Sequence, residues 1–469
     1  MPTLNNNYKY KTLREKFQVF SFDDVKVIRG HKQIKLTFEF NLDKKHRFRP
    51  SMTIKPNEAA QDFALSKKHL DQLAFHIGMI ELISYWKAAC PARVIIKPYK
   101  LDKKQIDFWK KIYYNGLGEF FHQNGIQSSR DDFMDIECRS DSTPENLNYL
   151  NTHNYIVPIG GGKDSIVTLQ LLNNFFGSSK DITPFIMNPL TASLQTCLEA
   201  GFKKKDIFII ERRIDPLLLD LNDKGFLNGH TPFSALLAFS SLLVSAITRN
   251  RYIALSNESS ANEATVPGTN INHQYSKSLE FENDFRAYVN TYISKQFEYF
   301  SFLRPLSEFQ IAKIFSQYDN SFYSFRSCNA GSKQNKWCGK CPKCLFTFII
   351  LSPFVSKSTL EAIFGQNLLD DKEQEQNYLE LTGQAAQKPF ECVGTREEVN
   401  IALTITINKH YPAFSDMPWL LKKYKKTRLF KRYKNITDAD WILHGLSENN
   451  LPEELADKLG SFLLKVYCK

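Results

Sequence analysis

The sequence predicts an α/β protein centred on a doubly wound parallel sheet, with a four-cysteine knuckle, an N-terminal α+β region and a mainly helical C-terminal region. Three observations predict this fold class. Short apolar runs typical of strands alternate with helical patterns in the middle of the chain. A glycine-rich turn follows the first of these runs, and four cysteines cluster after the last. We expect three parts, comprising residues 1–150, 151–365 and 366–469.

The N-terminal region mixes strand and helix patterns. Apolar residues alternate from Ile34 to Leu42, which is typical of a half-buried strand, and Arg93–Lys97 predicts another strand. Mostly apolar stretches at 70–89 and 106–123 predict helices. No chemical motif stands out in this region. We expect it to hold the non-nucleotide part of a substrate, or only to pack against the rest.

The glycine-rich turn joins a predicted strand, Tyr155–Ile159, to a predicted helix. Glycines let the backbone fold tightly around a ligand, and the N-terminus of a helix attracts negative charge. Lys163 adds a mobile cation, which we count among the catalytic candidates. An ordinary glycine turn before a helix is the alternative. The pattern predicts a phosphate-binding loop formed by six residues: Gly160, Gly161, Gly162, Lys163, Asp164 and Ser165.

Three further strands are predicted at 182–187, 206–210 and 251–255, with helices near 193–200 and 231–249. Ligands of doubly wound sheets bind at the carboxyl ends of the strands. We therefore expect three residues that follow strands to line the nucleotide: Met187, Asn188 and Asn257.

Carboxylates at a phosphate site usually hold Mg²⁺. The segment that follows the fourth strand, 256–263, offers Glu258 and Glu263, and Asp164 is a third candidate. The alternative is a polar loop whose Asn and Ser residues form turns. The sequence thus predicts that Asp164, Glu258 and Glu263 bind Mg²⁺.

A polar segment at 272–286 is rich in groups that transfer protons, among them His273, Glu280 and Glu282. Cys392, beside Glu391, is a further candidate. A structural histidine and a small buried cysteine are the alternatives. We rank His273 first among these four proton-transfer candidates.

Cys328, Cys338, Cys341 and Cys344 have the spacing of a metal knuckle. Four thiolates suit a tetrahedral Zn²⁺ ion, whose site would be structural because the protein fills every coordination position. An iron–sulfur cluster also takes four cysteines and remains the alternative.

Much of the net charge of +11 comes from one segment of the chain. Residues 422–434 hold eight Lys or Arg and no acidic residue, which suits RNA, an anionic membrane surface, a polyphosphate ligand or simply a solvated helix face. No apolar run is long enough to cross a membrane, and residues 1–14 lack the apolar region of a signal peptide. We therefore expect a cytoplasmic protein. Nothing in the sequence indicates its oligomeric state.

The stretch from Gly160 to Ser165 resembles the Ser-Gly-Gly-x-Asp-Ser loop of the ATP pyrophosphatases, or PP-loop enzymes, with Gly160 in place of the first Ser. The resemblance implies an adenine nucleotide alpha hydrolase-like fold that cleaves ATP between its α and β phosphates. The spacings of the Walker loop and of the dinucleotide fingerprint do not fit. The four-Cys knuckle is similar to one in the 7-cyano-7-deazaguanine synthases, which favours a single domain at 151–365.

Longer segments resemble the MurL family of ATP-dependent epimerases. The resemblance rests on PIGGGKDSIVTLQLL, SNESSANE, NHQYSKSLEFENDFR, LRPLSEFQIA, WCGKCPKCLF and KPFECVGT, and it extends to FHIGMIELISYWKA and FWKKIYYNGLGEFF. It implies ATP, Mg²⁺ and inversion of the terminal L-Glu of UDP-N-acetylmuramoyl-L-alanyl-L-glutamate in peptidoglycan synthesis. The alternatives are a PP-loop enzyme that modifies RNA and a nucleotide sensor without catalysis. Under the first interpretation nucleic acid is not a partner.

Overall fold

The structure, a computed structural model, describes residues 5–31, 33–57, 65–147, 152–177, 179–266, 268–269, 271–437 and 447–467. Within these ranges it contains eleven strands: β1 (Val19–Arg29), β2 (Ile34–Leu42), β3 (His46–Phe48), β4 (Ser51–Lys55), β5 (Arg93–Ile96), β6 (Asp135–Cys138), β7 (Thr152–Pro158), β8 (Ile182–Met187), β9 (Phe208–Arg213), β10 (Asn250–Leu255) and β11 (Glu298–Ser301).

The same ranges contain seventeen α-helices. They are α1 (Asn7–Lys16), α2 (Lys67–Trp86), α3 (Lys103–Gly116), α4 (Gly118–Gln123), α5 (Lys163–Phe176), α6 (Thr191–Glu199), α7 (Pro216–Asp223), α8 (Phe233–Thr248), α9 (Leu279–Tyr292), α10 (Glu308–Phe315), α11 (Pro342–Leu351), α12 (Lys357–Phe364), α13 (Glu375–Thr382), α14 (Arg396–His410), α15 (Trp419–Lys425), α16 (Arg428–Tyr433) and α17 (Glu453–Tyr467).

All eleven strands belong to one sheet in the order β11-β10-β7-β8-β9-β4-β2-β1-β5-β6, with β3 paired to β2. The five strands from β11 to β9 are mutually parallel. Strand β4 then pairs with β9 in the antiparallel direction, with Lys55 opposite Ile209, and so joins the N-terminal strands to the parallel ones. The predicted parallel sheet is therefore correct for the central strands but is only one part of a larger mixed sheet.

Helices cover both faces of the parallel strands. Alternate residues of one strand enter different hydrophobic clusters, because successive side chains of a strand point to opposite faces. Ile156 packs in the cluster that contains α2 and α8, whereas Tyr155 and Val157 pack in the cluster that contains α5, α10 and α11. Burial on both faces explains why these strands are continuous apolar runs.

The prediction of the N-terminal region was less complete. Strand β2 has the predicted bounds, and β5 and α2 lie close to theirs. The predicted helix at 106–123 is divided into α3 and α4 around Leu117. A Cβ on Gly116 would lie 2.6 Å from a ring carbon of Pro232, so only glycine fits against this ring.

Helices α11 to α16 lie outside the sheet, and those from α13 onward belong to residues 366–469, which were expected to be mainly helical. The basic stretch forms α15 and α16, whose apolar residues Leu420 and Tyr424 are buried while most of its cations reach the surface. Lys423, whose side chain is partly exposed, pairs with Glu375 of α13. None of the helices in the described ranges is long and apolar enough to cross a membrane.

Candidate functional site

The glycine loop lies at the carboxyl end of β7, as the sequence predicted, and leads into α5. The N-cap of this helix is Gly162, without a side-chain cap, whereas Asp164 lies in its first turn. Gly161 has φ +86°, and a Cβ there would lie 2.6 Å from the backbone nitrogen of Ser193. Ser165 closes the loop, because its Oγ accepts a hydrogen bond from the N–H of Gly161 at 3.1 Å. The loop is held tightly and leaves helix N–H groups for an anion.

A group of three carboxylates lies beside this loop. Oxygens of Asp164, Glu258 and Glu308 all lie within 4.8 Å of one another. Lys163 is buried among them and pairs with both Asp164 and Glu308. Burial alone would lower the pKa of Lys163, but these two carboxylates raise it above its ordinary value. Lys163 therefore stays charged and offsets only part of the negative charge.

The buried Glu308 was not predicted as a site residue. It begins α10, and burial raises the pKa of its carboxyl, as do the neighbouring carboxylates of Asp164 and Glu258. The backbone N–H of Glu308 donates to the carboxylate of Glu398 at 2.6 Å. Glu398 also accepts from the N–H of Thr395 at 2.6 Å, so one carboxylate joins the starts of α10 and α14.

The second part of the site is a thiol cluster formed by Cys392, Lys277, His273, Glu119 and His230. Lys277 Nζ lies 3.2 Å from Cys392 Sγ, and His273 lies near enough to Cys392 for each to shift the pKa of the other. His273 Nδ1 bonds to Glu119 Oε2, while His230 Nδ1 lies 3.5 Å from the same oxygen. A thiol, two imidazoles, an amine and a carboxylate therefore meet in one place.

The charges of this cluster favour a thiolate beside an imidazolium. Burial would raise the pKa of Cys392, but Lys277, Lys343 and His273 together lower it to about 5. Burial would lower the pKa of His273, but hydrogen bonds to Cys392 and Glu119 raise it to about 9. Near neutral pH, Cys392 is therefore anionic and His273 cationic.

Glu119, His230 and His273 also lie close enough together to share a metal ion. The surroundings argue against a cation in this position. Burial first, then the positive charge of His273, lowers the pKa of His230 to about 4, and Lys87 and Lys277 act in the same direction. A divalent ion would meet the same repulsion.

Arg304 joins the two parts of the site. This fully buried side chain donates to the backbone oxygen of Glu258 at 2.6 Å and to that of Lys277. Glu258 belongs to the group of three carboxylates and Lys277 to the thiol cluster. The raised pKa of Lys277 fits this arrangement: burial would lower it, but Cys392, Glu258 and Asp164 raise it.

Other predicted residues lie apart from these two groups. Glu280 is more than half exposed and pairs with Lys111 at 2.7 Å. Glu282 is buried against Arg304 at 3.3 Å, and Glu263 pairs with Lys388.

The three predicted nucleotide-lining residues do follow strands. Met187 ends β8, and Asn188 accepts a hydrogen bond from the N–H of Arg212 at 2.7 Å. Asn257 follows β10 but is buried, donating to Ser301 Oγ at 3.0 Å. Asn257 therefore links the segment after β10 to the end of β11, while Met187 and Asn188 lie at the carboxyl end of β8.

The four knuckle cysteines converge as their spacing predicted. Sγ atoms lie 3.7 Å apart for Cys328 and Cys341, 3.6 Å for Cys338 and Cys344, and 3.5 Å for Cys341 and Cys344. Tetrahedral zinc with bonds of about 2.3 Å puts its sulfurs about 3.8 Å apart. The donor set and its size therefore fit one Zn²⁺ ion. An iron–sulfur cluster, with several irons between the thiolates, needs a wider arrangement.

Two family models of known proteins match long segments of the chain. The model of the MurL N-terminal domain matches residues 11–302, and that of the MurL C-terminal domain matches residues 324–431. The chain belongs to the MurL family. The MurL resemblance inferred from the sequence motifs is therefore confirmed. Asp164, Glu258 and His273 lie in the first matched segment and Cys392 in the second, while Arg304 and Glu308 lie between the two.

Three curated relatives are named UDP-N-acetyl-alpha-D-muramoyl-L-alanyl-L-glutamate epimerase. The protein of Xanthomonas oryzae pv. oryzae is 34% identical over 71% of this MurL-family chain and 74% of its own length. That of Micromonospora sp. is 34% identical over 77% of the chain and 80% of its own. That of Salinispora tropica is 33% identical over 70% and 72%. No solved structure matches the chain.

Four residues of the candidate site of this MurL-family chain escaped the sequence analysis: Glu119, His230, Arg304 and Glu308. Glu308 stands at the start of a helix, where an acidic residue is common for reasons of the helix dipole alone. Glu119 stands between apolar residues of a predicted helix, and a charge in such a position is the one signal that marked it.

Proposed function

We propose that this protein is a cytoplasmic, ATP-dependent epimerase that converts the terminal L-Glu of UDP-N-acetylmuramoyl-L-alanyl-L-glutamate to D-Glu in peptidoglycan precursor synthesis. The single observation that carries the proposal is that Arg304 joins a phosphate-type loop with its carboxylates to a thiolate–imidazolium pair. The first group suits activation of a carboxylate, and the second suits proton transfer. The substrate is inferred from the names of the curated relatives.

The first step is adenylation. A carboxylate oxygen of the glutamyl residue attacks the α-phosphorus of ATP, the bond to the β-phosphate oxygen breaks, and diphosphate leaves. Backbone N–H groups at the start of α5 and the ammonium of Lys163 stabilise the phosphate charge. This is the reaction type of the PP-loop enzymes that the loop resembles.

Asp164, Glu258 and Glu308 fit a magnesium site. Their oxygens lie within 4.8 Å of one another, and Lys163 offsets only one of their charges. These carboxylates would hold the ion, whose positive charge would offset the charge that develops on the phosphates. Glu263, predicted as a third ligand, has its carboxylate turned to Lys388.

The second step is inversion at Cα. Adenylation removes the negative charge of the carboxylate, so the electrons of the broken C–H bond can move to the acyl oxygen. We assign the thiolate of Cys392 as the base that removes the α-proton and the neighbouring imidazolium of His273 as the acid that returns a proton after the planar intermediate has turned its other face to the pair. A base must be deprotonated and an acid protonated at working pH, and the pKa values of about 5 and about 9 satisfy this. Hydrolysis then releases AMP and the product.

The four-Cys knuckle is proposed as a structural zinc site. All four positions of a tetrahedral ion are filled by thiolates, which leaves none for water or substrate. Gly339, with φ +72°, forms the tight turn between Cys338 and Cys341.

One reaction in deuterated water tests the proposal. Purified protein is incubated with ATP, Mg²⁺ and UDP-N-acetylmuramoyl-L-alanyl-L-glutamate, and the products are analysed by chromatography and mass spectrometry. We expect AMP, diphosphate and a D-Glu product with deuterium at Cα. AMP formation that requires RNA would instead identify an RNA-modifying enzyme, and the absence of AMP would indicate a nucleotide sensor.

A further inference from the structure

One side chain of the N-terminal region reaches the thiol cluster. Glu119, on the short helix α4, accepts a hydrogen bond from His273 Nδ1 through Oε2. Its other oxygen, Oε1, accepts from Gln123 Nε2 at 2.8 Å. The residue is 8% exposed. Both carboxylate oxygens are thus fixed, and they fix the ring of His273 in turn.

Helix α4 also packs against the segment that carries Cys392. The His122 and Phe390 rings lie with centroids 5.6 Å apart, and His122 Nε2 lies 3.4 Å from Gln387 Nε2. Glu119 and His122 are three residues apart and therefore share one face of the helix. The same face of α4 thus orients the histidine and contacts the cysteine segment.

We propose that Glu119 is a positioning residue that completes a Cys392–His273–Glu119 triad and thereby keeps His273 oriented and Cys392 ionised. His273 has two ring nitrogens, and the bond of Nδ1 to Glu119 leaves Nε2 as the nitrogen available to the thiol. A base oriented by a third group is the arrangement by which proteins activate a cysteine. The catalytic role of this triad rests on the proposed function, but the ionisation of Cys392 can be measured without turnover.

The other charges around the pair are consistent with this role. Cys392 faces Lys277, Lys343 and His273, and the carboxylate of Glu391 lies on the same side. His273 faces Cys392, Glu119 and His230, of which only the first two carry negative charge. Glu119 is therefore the one protein carboxylate bonded to this ring in the described residues. Removing the charge of Glu119 should therefore change the pKa of His273 and, through the position of its ring, that of Cys392.

The test is the pH dependence of alkylation of Cys392. Protein is treated with iodoacetamide from pH 4 to 10, and the modified Cys392 peptide is quantified by mass spectrometry, because the thiolate is the reactive form. In Glu119→Gln we expect the midpoint to rise by about one pH unit, because a His273 ring that is no longer held at Nδ1 stops stabilising the thiolate, and loss of a nearby opposite charge shifts a pKa by roughly 1–3 units. Glu137→Gln, an exposed carboxylate on β6, is the matched control and should leave the midpoint unchanged.

Activity gives the second measurement. In Glu119→Gln the alkaline limb of the exchange rate at the glutamyl Cα should move to lower pH, while KM for ATP and AMP formation stay near those of the parent protein. Glu119→Asp, which keeps the charge, should restore part of the exchange rate and of the alkylation midpoint.

An unchanged midpoint in Glu119→Gln, with the melting temperature of the parent protein, would overturn the triad whether or not the protein is an epimerase. If Glu119→Gln does not fold, the His273 ring of the parent protein decides: an imidazole pKa at or below its ordinary value of 6.5, measured by NMR, would also refute the positioning role. A shifted midpoint without any epimerase activity would support the triad and reject the proposed function.

Discussion

Replacing Cys392 by alanine should separate ATP cleavage from inversion. The thiol lies 3.2 Å from Lys277 and close to His273, whereas the carboxylates beside the phosphate-binding loop form a separate group among the described residues. Cys392→Ala therefore removes the base and leaves the adenylation machinery complete. Proton transfer by a positioned side chain contributes roughly 10²–10⁴-fold to a rate, so deuterium exchange at the glutamyl Cα should fall by about that factor.

The pH profile of the parent protein follows from the same pair. The active form has Cys392 deprotonated and His273 protonated. As pH rises through about 5, the thiolate forms and exchange increases. As pH rises through about 9, the imidazolium is lost and exchange decreases. We expect a bell-shaped profile, with a loss of about tenfold for each pH unit beyond either limb.

The assay measures two quantities in one reaction: AMP by chromatography, and deuterium at Cα by mass spectrometry. Cys138→Ala, a partly buried thiol at the end of β6, is the matched control and should leave both unchanged. Normal deuterium uptake in Cys392→Ala would refute the assignment of the base. Loss of AMP formation together with exchange would refute the separation of the two steps.

Three further predictions concern the loop, the knuckle and the core. Lys163→Ala or Asp164→Ala should reduce AMP formation by about 10²–10³-fold without unfolding the protein; near-normal turnover in both, measured by chromatography, would exclude this loop as the ATP site. Cys341→Ser should lose about one Zn²⁺ per chain and melt at a lower temperature, because a structural site contributes folding energy; iron with visible absorbance in metal analysis would favour a cluster instead. Gly78→Ala should cost about 1–3 kcal/mol in urea unfolding, since its Cβ would lie 2.3 Å from Phe22 Cζ; unchanged stability would contradict this packing.

The parallel part of the sheet could be predicted because its signals are local. Each of its strands except β11 contains a short apolar run, and the glycine loop follows β7 directly in sequence. The knuckle was equally accessible, because three of its four cysteines lie within seven residues. By contrast β3 and β11 have three and four residues, too few to show any periodicity.

The rest of the site depends on contacts between distant parts of the chain. Glu119 and His273 are 154 residues apart in sequence, and Lys277 and Cys392 are 115 apart. No local pattern relates such pairs, so the sequence named His273 and Cys392 as separate candidates without their partner Glu119. The roles of Glu280 and Glu282 were suggested only by closeness in sequence to His273. On helix α9 they point elsewhere, Glu280 to Lys111 and Glu282 to Arg304.

The junction between β4 and β9 also affects how the chain is made. Lys55 and Glu211, which pair across this junction, are 156 residues apart. At a synthesis rate of roughly 5–20 residues per second, β4 therefore emerges about ten to thirty seconds before its neighbour. During that time its backbone donors and acceptors on one side are open, beside the apolar Met52 and Ile54. An open strand edge is a template for pairing with another chain. The ribosome-bound chain passes through this exposed state each time, whereas a fragment that stops at residue 150 never leaves it.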